Sequence, residues 1–168
     1  MRFVARCLVP SLAVGLALFA ARPAAASSRA ASGARAAQNS PGFDKALIQP
    51  DELVKELKEP EARRPIVLYV GFEVLYHGAH VPGAIFTGPA STAAGLAALR
   101  RAAARIPRDR EVVIYCGCCP MTKCPNIHPA YDEMSKLGFR RLRVLDLPGD
   151  FAHDWVEKGL PIHKGASP

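Results

Sequence analysis

The stretch EVVIYCGCCPMTKCPN, residues 111–126, decides how the rest of the chain is read. It opens with an apolar run of strand length, Val112-Val113-Ile114-Tyr115, and it ends where a helix starts near Asn126. The intervening loop therefore lies between a buried strand and a helix N-terminus. It holds four of the five cysteines in the chain: Cys116, Cys118, Cys119 and Cys124. Backbone N–H groups and the positive end of a helix dipole favour an anion or a thiolate there, and they lower a cysteine pKa toward neutrality. Cys116 follows the strand directly and is held by a rigid element, which makes it the candidate catalytic nucleophile. Gly117, Cys118, Cys119, Met121, Thr122 and Lys123, with His128 at the helix start, form the candidate anion or substrate site. Cys118, Cys119 and Cys124 are its auxiliary thiols.

Outward from this loop, strand and helix patterns alternate. Upstream, residues 91–105 read as a helix with Leu96, Leu99, Ala103 and Ile106 at helical spacing and Arg100, Arg101 and Arg105 facing outward. Pro107 stops it. Residues 66–70 form an apolar run that suits a parallel strand buried on both faces, ended by Gly71, and a turn at Pro82-Gly83 feeds a short strand at Ile85-Phe86. Before them, residues 51–58 read as a short helix with Asp51 as its cap and Leu53, Val54 and Leu57 on one face. Downstream, a helix over 126–137 tolerates Pro129 in its first turn and is closed by Gly138. A strand over 141–145 follows, and Pro148-Gly149 opens a last short helix with Phe151 and Trp155 on a common face, Trp155 packing in the core. This order indicates an α/β domain with a parallel sheet covered on both sides.

The 168 residues suit one domain, preceded by a segment of different character. Arg2 and Arg6 are followed by an apolar segment over 7–21 and by Ala24-Ala25-Ala26, the pattern of a secretory signal peptide over 1–26. Arg22 and Pro23 break the segment before it reaches the about 20 residues of a comfortable membrane span. Cys7 precedes the apolar core, so it does not have the place of a lipidated N-terminal cysteine. Residues 27–43 are rich in Ala, Ser and Gly and read as a flexible linker, and the domain spans 44–165. The expectation is an exported protein of the periplasm or cell envelope, without stable membrane insertion after cleavage.

Loss of Arg2, Arg6 and Arg22 lowers the formal charge from +7 to about +4. That mild excess steers small anions and does not call for nucleic acid. Arg100, Arg101, Arg105, Arg108 and Arg110, with Arg140, Arg141 and Arg143, read as a solvated helix face and a strand entry. The cysteines say more. An exported chain permits disulfides, but four cysteines within nine residues close only short loops and contribute little stability. The cluster reads as chemical rather than structural.

Over residues 46–163 the domain resembles the rhodanese-like family of sulfurtransferases. AHVPGA, residues 79–84, is similar to the family's GHIPGA turn with Ala79 in place of glycine, and VVIYC, residues 112–116, to the strand that leads to its active cysteine. Leu137-Gly138-Phe139, Val144-Leu145, Gly149, Trp155 and Gly159-Leu160-Pro161-Ile162 resemble its C-terminal part. The resemblance implies a three-layer domain with a central parallel sheet of about five strands flanked by helices. It also implies a persulfide carried on Cys116 between a small sulfane-sulfur donor and a thiol acceptor, and a structural His80. Three departures stand out. Val70-Gly71-Phe72 replaces the usual Asp-x-Arg, Met121 stands where the loop usually carries arginine, and the loop is longer, with Lys123 its nearest cation. A bidentate arginine clamp is missing, and lysine is no equal substitute. Thr122 also stands where a phosphatase of this fold needs arginine.

Sulfur transfer is thus the leading reading. The alternatives are thiol–disulfide redox chemistry, a soft-metal site for Cu(I) or zinc, and an inert binding domain of the same fold. The C-x-C-C-x4-C spacing departs from the paired C-x2-C of ordinary zinc sites, so neither a retained metal nor another cofactor is expected. His128 is a candidate for holding an anion or lowering a thiol pKa, while His77, His153 and His163 read as exposed.

Overall fold

The computed structural model describes residues 42–166. The expected signal segment over 1–26, and the linker over 27–43 except Gly42 and Phe43, lie outside the described residues. Five strands form one sheet: β1 Leu47–Ile48, β2 Ile66–Tyr69, β3 Ile85–Phe86, β4 Val112–Tyr115 and β5 Leu142–Leu145. Their order is β1-β5-β4-β2-β3 and every neighbouring pair is parallel, which is the expected architecture. Four helices flank it: α1 Pro50–Glu56, α2 Glu73–Gly78, α3 Ala93–Ala103 and α4 Ile127–Lys136. No helix among the described residues is long and apolar enough to cross a membrane.

The core is split by the sheet, and strand parity assigns each side chain to a layer. On β4, Val112 and Ile114 pack with Leu99, Ile127, Ala130 and Met134 of α3 and α4. Val113 and Tyr115 instead face Leu53, Tyr76, Phe151 and Trp155. All four β4 residues are buried, as a central strand covered on both faces requires. Parity then carries Cys116, the next residue, into the α3/α4 layer beside Ile114 and Cys124.

Helix ends follow local chemistry. The Thr92 hydroxyl accepts the Gly95 N–H at 3.0 Å and starts α3, and Gly138, with φ of +88°, follows the end of α4. α1 departs from expectation. Pro50 opens it and Gln49 precedes it without a side-chain cap, so Asp51 sits in the first turn and acts on the helix dipole instead of capping. α2 has no counterpart in the sequence reading, which runs from Gly71 to the turn at His80. It is short, and of its side chains only Tyr76 is buried, while Val74 and Leu75 are 77% and 44% exposed. Past β5, the chain forms a π-helical turn, Ala152–Val156, where a short helix is expected. Phe151 and Trp155 stack there at 5.6 Å, and the Trp155 indole donates to the Pro161 carbonyl at 2.8 Å.

Packing reaches slightly further upstream than the expected domain start. Phe43, the last residue of the expected linker, is buried against Tyr131 and His128, so packing begins before residue 44. The Arg143 environment needs a larger correction. Its side chain is only 19% exposed and is paired with Glu52, Glu56 and Glu111, so it is not part of a solvated strand entry. Arg100 pairs with Glu133 at 2.6 Å, and Arg108 lies over the Phe139 ring, 4.3 Å from its centre.

From β2 the chain crosses to β3 on one side, and from β4 to β5 on the other. The direction of winding reverses between β2 and β4, and a crevice at their carboxyl ends is where an open α/β sheet takes a ligand.

Candidate active site

Tyr69 ends β2 and Cys116 follows β4, so the two strands bring them to the same crevice. A cavity of about 300 Å³ opens there, lined by Tyr69, Val74, Leu75, Cys116, Gly117, Cys118, Asp150 and Phe151 among others. Cys116 is 2% exposed at its floor. A larger depression of about 900 Å³, lined by Leu57, Arg64, Ile66, Arg110 and His163, holds no thiol.

All four cysteines of the loop are free thiols, and the fold gathers them. The Cys118 sulfur lies 3.3 Å from that of Cys116, 3.3 Å from that of Cys119 and 3.9 Å from that of Cys124. The loop can curl this tightly because Gly117 takes φ of +74° and because a Cβ there would sit 2.6 Å from the Phe151 Cβ, which only glycine avoids. Gly71 gives room on the other side. A Cβ at that position would come within 2.8 Å of both the Cys116 sulfur and the Tyr69 hydroxyl oxygen.

Hydrogen bonds distribute charge unevenly over the cluster. The Cys118 N–H and the Asn126 side-chain amide, the latter at 3.3 Å, both donate to the Cys116 sulfur. The Cys124 sulfur instead receives the N–H groups of Asn126 and Ile127, at the start of α4. Hence it is Cys124, and not Cys116 as the sequence suggests, that meets the positive end of the helix. The hydrogen bond from Cys116 and these N–H groups pull the Cys124 pKa down to about 6. Donation to Cys124, with burial second, pushes Cys116 up, and burial followed by the Cys118 contact pushes Cys119 up to about 12. The Cys116, Cys118 and Cys124 sulfurs lie within 4.8 Å of one another, and the N–H groups favour negative charge on Cys124. Burial, and then the nearby cysteine sulfurs, also raise the Tyr69 phenol, whose O–H donates to the Phe72 carbonyl at 3.3 Å.

The other expected site residues divide. Gly117 and Cys118 line the cavity. Met121, Thr122 and Lys123 form a 3-10 turn in which Thr122 and Lys123 face solvent. The Met121 N–H donates to the Leu147 carbonyl at 3.2 Å and the Lys123 N–H to the Pro120 carbonyl at 2.8 Å, so neither is aimed at a bound anion. The His128 ring is stacked on Phe43 at 4.5 Å, with Nδ1 buried and without a hydrogen-bond partner. His80 is structural: it is buried, stacked on Tyr76 at 3.8 Å, and its Nδ1 lies 2.7 Å from the Tyr76 carbonyl.

Asn126 is the residue that sequence reasoning misses. It is fully buried and occupies the N-cap position of α4 without capping it. Its carbonyl oxygen accepts the Ser91 N–H at 2.9 Å, which turns the amide nitrogen onto Cys116. An asparagine at a helix start is read by default as a cap, so the only signal available was its nearness to the loop.

Solved structures share this architecture. They include the rhodanese-like domain of the Alr3790 protein from Anabaena sp. (21% identical, covering 73% of this chain and 88% of that one, TM-score 0.51). The BH2092 protein from Bacillus halodurans is 20% identical over 72% of this chain and 79% of its own, with a TM-score of 0.53. A 3-mercaptopyruvate sulfotransferase, SseA from Escherichia coli, is 16% identical over 73% of this chain and 52% of its own, with a TM-score of 0.52. No protein-family model and no curated protein matches the chain. The fold is that of the rhodanese-like domains.

Proposed function

We propose that this rhodanese-fold domain is a sulfurtransferase that carries sulfane sulfur as a persulfide on Cys116. The observation that carries the reading is the floor of the cavity: a buried thiol just past the central strand, with a second buried thiol within 4.8 Å whose sulfur receives the N–H groups of a helix start. Cys116 lines the cavity and meets the donor, while Cys124 lies behind it. As Cys116 attacks the outer sulfur of the donor, its proton passes to the Cys124 thiolate. The donor's sulfur–sulfur bond breaks, its inner sulfur leaves as a thiolate, and Cys116 bears the persulfide. No net oxidation occurs. A thiol acceptor then takes the outer sulfur and regenerates Cys116.

The cavity favours a small organic persulfide as donor. Its walls include the apolar side chains of Val74, Leu75, Ala79, Phe151 and Val156, and its acidic group, Asp150, accepts the His153 N–H at 2.8 Å and repels anions. A dianion such as thiosulfate finds no arginine among these lining residues. Cys118 supplies an internal exit. Its thiolate, at 3.3 Å, attacks the inner sulfur of the Cys116 persulfide, sulfide leaves, and a Cys116–Cys118 disulfide remains for an external dithiol to reduce.

The test is intact mass of the fully reduced protein after brief exposure to a small persulfide and removal of excess donor. The expected result is a gain of one sulfur atom on the parent and none on Cys116→Ser. A parent protein that gains no sulfur, yet exchanges disulfides with a dithiol, replaces sulfur transfer with thiol–disulfide redox chemistry.

A further inference from the structure

We infer that the reduced loop is a three-sulfur site for a single monovalent soft cation, Cu(I), held by Cys116, Cys118 and Cys124. The spacing of the cysteines argues against such a site, but the fold overrides the spacing. The three sulfurs all lie within 4.8 Å of one another, with Cys118 at 3.3 Å from Cys116 and 3.9 Å from Cys124. An ion bonded to three thiolates at about 2.3 Å in a plane needs sulfur–sulfur edges of about 4.0 Å, so small rotations of the side chains complete the triangle.

The donor set selects the ion. Thiolates favour soft cations such as Cu(I) and zinc, and no histidine or carboxylate joins this group among the described residues. Zinc in a structural site wants a fourth ligand. Cys119 does not supply one: its sulfur contacts that of Cys118 at 3.3 Å and stands outside the three-sulfur group. Three-coordination, which Cu(I) accepts, is what the loop offers.

The surroundings suit bound thiolates. The Cys118 N–H and the Asn126 amide point at the Cys116 sulfur, and the Asn126 and Ile127 N–H groups at the Cys124 sulfur, an outer shell of the kind that orients metal ligands. Two of the three residues, Cys116 and Cys124, are buried, and Gly71 keeps the space behind Cys116 free of a side chain. Binding involves no redox change: the ion enters as Cu(I), and the ligands release their remaining thiol protons to solvent. The site does not depend on sulfur transfer, although an ion on Cys116 and a persulfide there exclude each other.

The experiment is an anaerobic titration of the reduced full chain with Cu(I) held by a chromophoric chelator, followed by alkylation and peptide mapping. One copper per chain should move from the chelator to the protein, and it should protect Cys116, Cys118 and Cys124 from alkylation while Cys119 stays reactive. Asn126→Ala should weaken binding by roughly 10- to 100-fold, as loss of an outer-shell partner does, and Cys118→Ser by more. Cys119→Ser should bind like the parent. Failure to withdraw copper from the chelator, equal protection of all four cysteines, unchanged affinity in Cys118→Ser, or displacement of the copper by equimolar zinc would each overturn the site. The protection pattern is read on the parent protein, so it stands even where a variant misfolds.

Discussion

The two ends of β4 carry two polar clusters, and they are built on opposite principles. Just before the strand, Glu111 pairs with Arg141 at 2.7 Å and with Arg143, which also reaches Glu56 and Glu52. Opposite charges sit together there, and each has a partner within the group. Just after the strand, four thiols crowd together, and among the described residues no arginine or lysine pairs with them. Their negative charge is met only by backbone and amide N–H groups. Ion pairs of the first kind fix a fold and react with nothing. Sulfur held by dipoles alone keeps its lone pairs for a partner from outside, whether a sulfane sulfur, another thiol or a soft cation.

If the contrast is right, substitutions at one end change chemistry and at the other change stability. The largest effect belongs to Cys116→Ser, which should reduce sulfur uptake from a small persulfide by at least about a thousandfold while leaving the unfolding midpoint close to the parent's. Retained uptake would move the nucleophile elsewhere in the loop. Arg143→Ala should cost about 3 kcal/mol in urea unfolding, because Glu52 and Glu56 lose their cation and Glu111 keeps only Arg141, with no change in uptake per folded molecule. A neutral result would remove the structural role from that end of the strand.

Cys124→Ser comes next, with uptake near pH 7 slowed roughly a hundredfold by loss of the proton acceptor. Its pH profile sharpens the assignment. Because the Cys124 pKa is lowered to about 6, the thiolate forms as pH rises through that value, and uptake by the parent should rise there and fall away below it. In Cys124→Ser that rise should move above pH 8, toward the about 8.5 of an ordinary thiol or beyond, since Cys116 is buried. An unchanged profile would take the proton-accepting role from Cys124. The smallest effect is that of Asn126→Ala. It leaves the Ser91 N–H without its acceptor, which should cost ~1 kcal/mol in urea unfolding, and it should slow uptake severalfold.

Much of this arrangement is legible in the amino-acid sequence because it rests on periodicity and on parity. The apolar runs of β2, β4 and β5, the spacing of Leu99 and Ala103 in α3, and Gly138 after α4 all announce themselves through local rules. What is not legible depends on pairs distant in the chain. α2 is hidden because its exposed Val74 and Leu75 follow no amphipathic pattern, their place being set by the mouth of the cavity. Arg143 looks solvated until β5 lies beside Glu111 and α1. The loop's place between β4 and α4 is legible, yet which sulfur meets the helix rests on how the chain curls between Gly117 and Asn126. No rule about spacing contains that. Cys116 is nearest the strand, and the helix nevertheless reaches Cys124.

One contact made by the loop leads outward. Gly117 lies against the Cβ of Phe151 and its carbonyl accepts the Phe151 N–H at 3.1 Å, while the Phe151 ring stacks on Trp155 at 5.6 Å. The chain has a single tryptophan. An added sulfur, a disulfide or an ion in the loop acts on the residue against which Phe151 rests, two contacts from that one fluorophore. The expected outcome is a change in Trp155 emission when the thiols change state, which a fluorescence titration without any label would check.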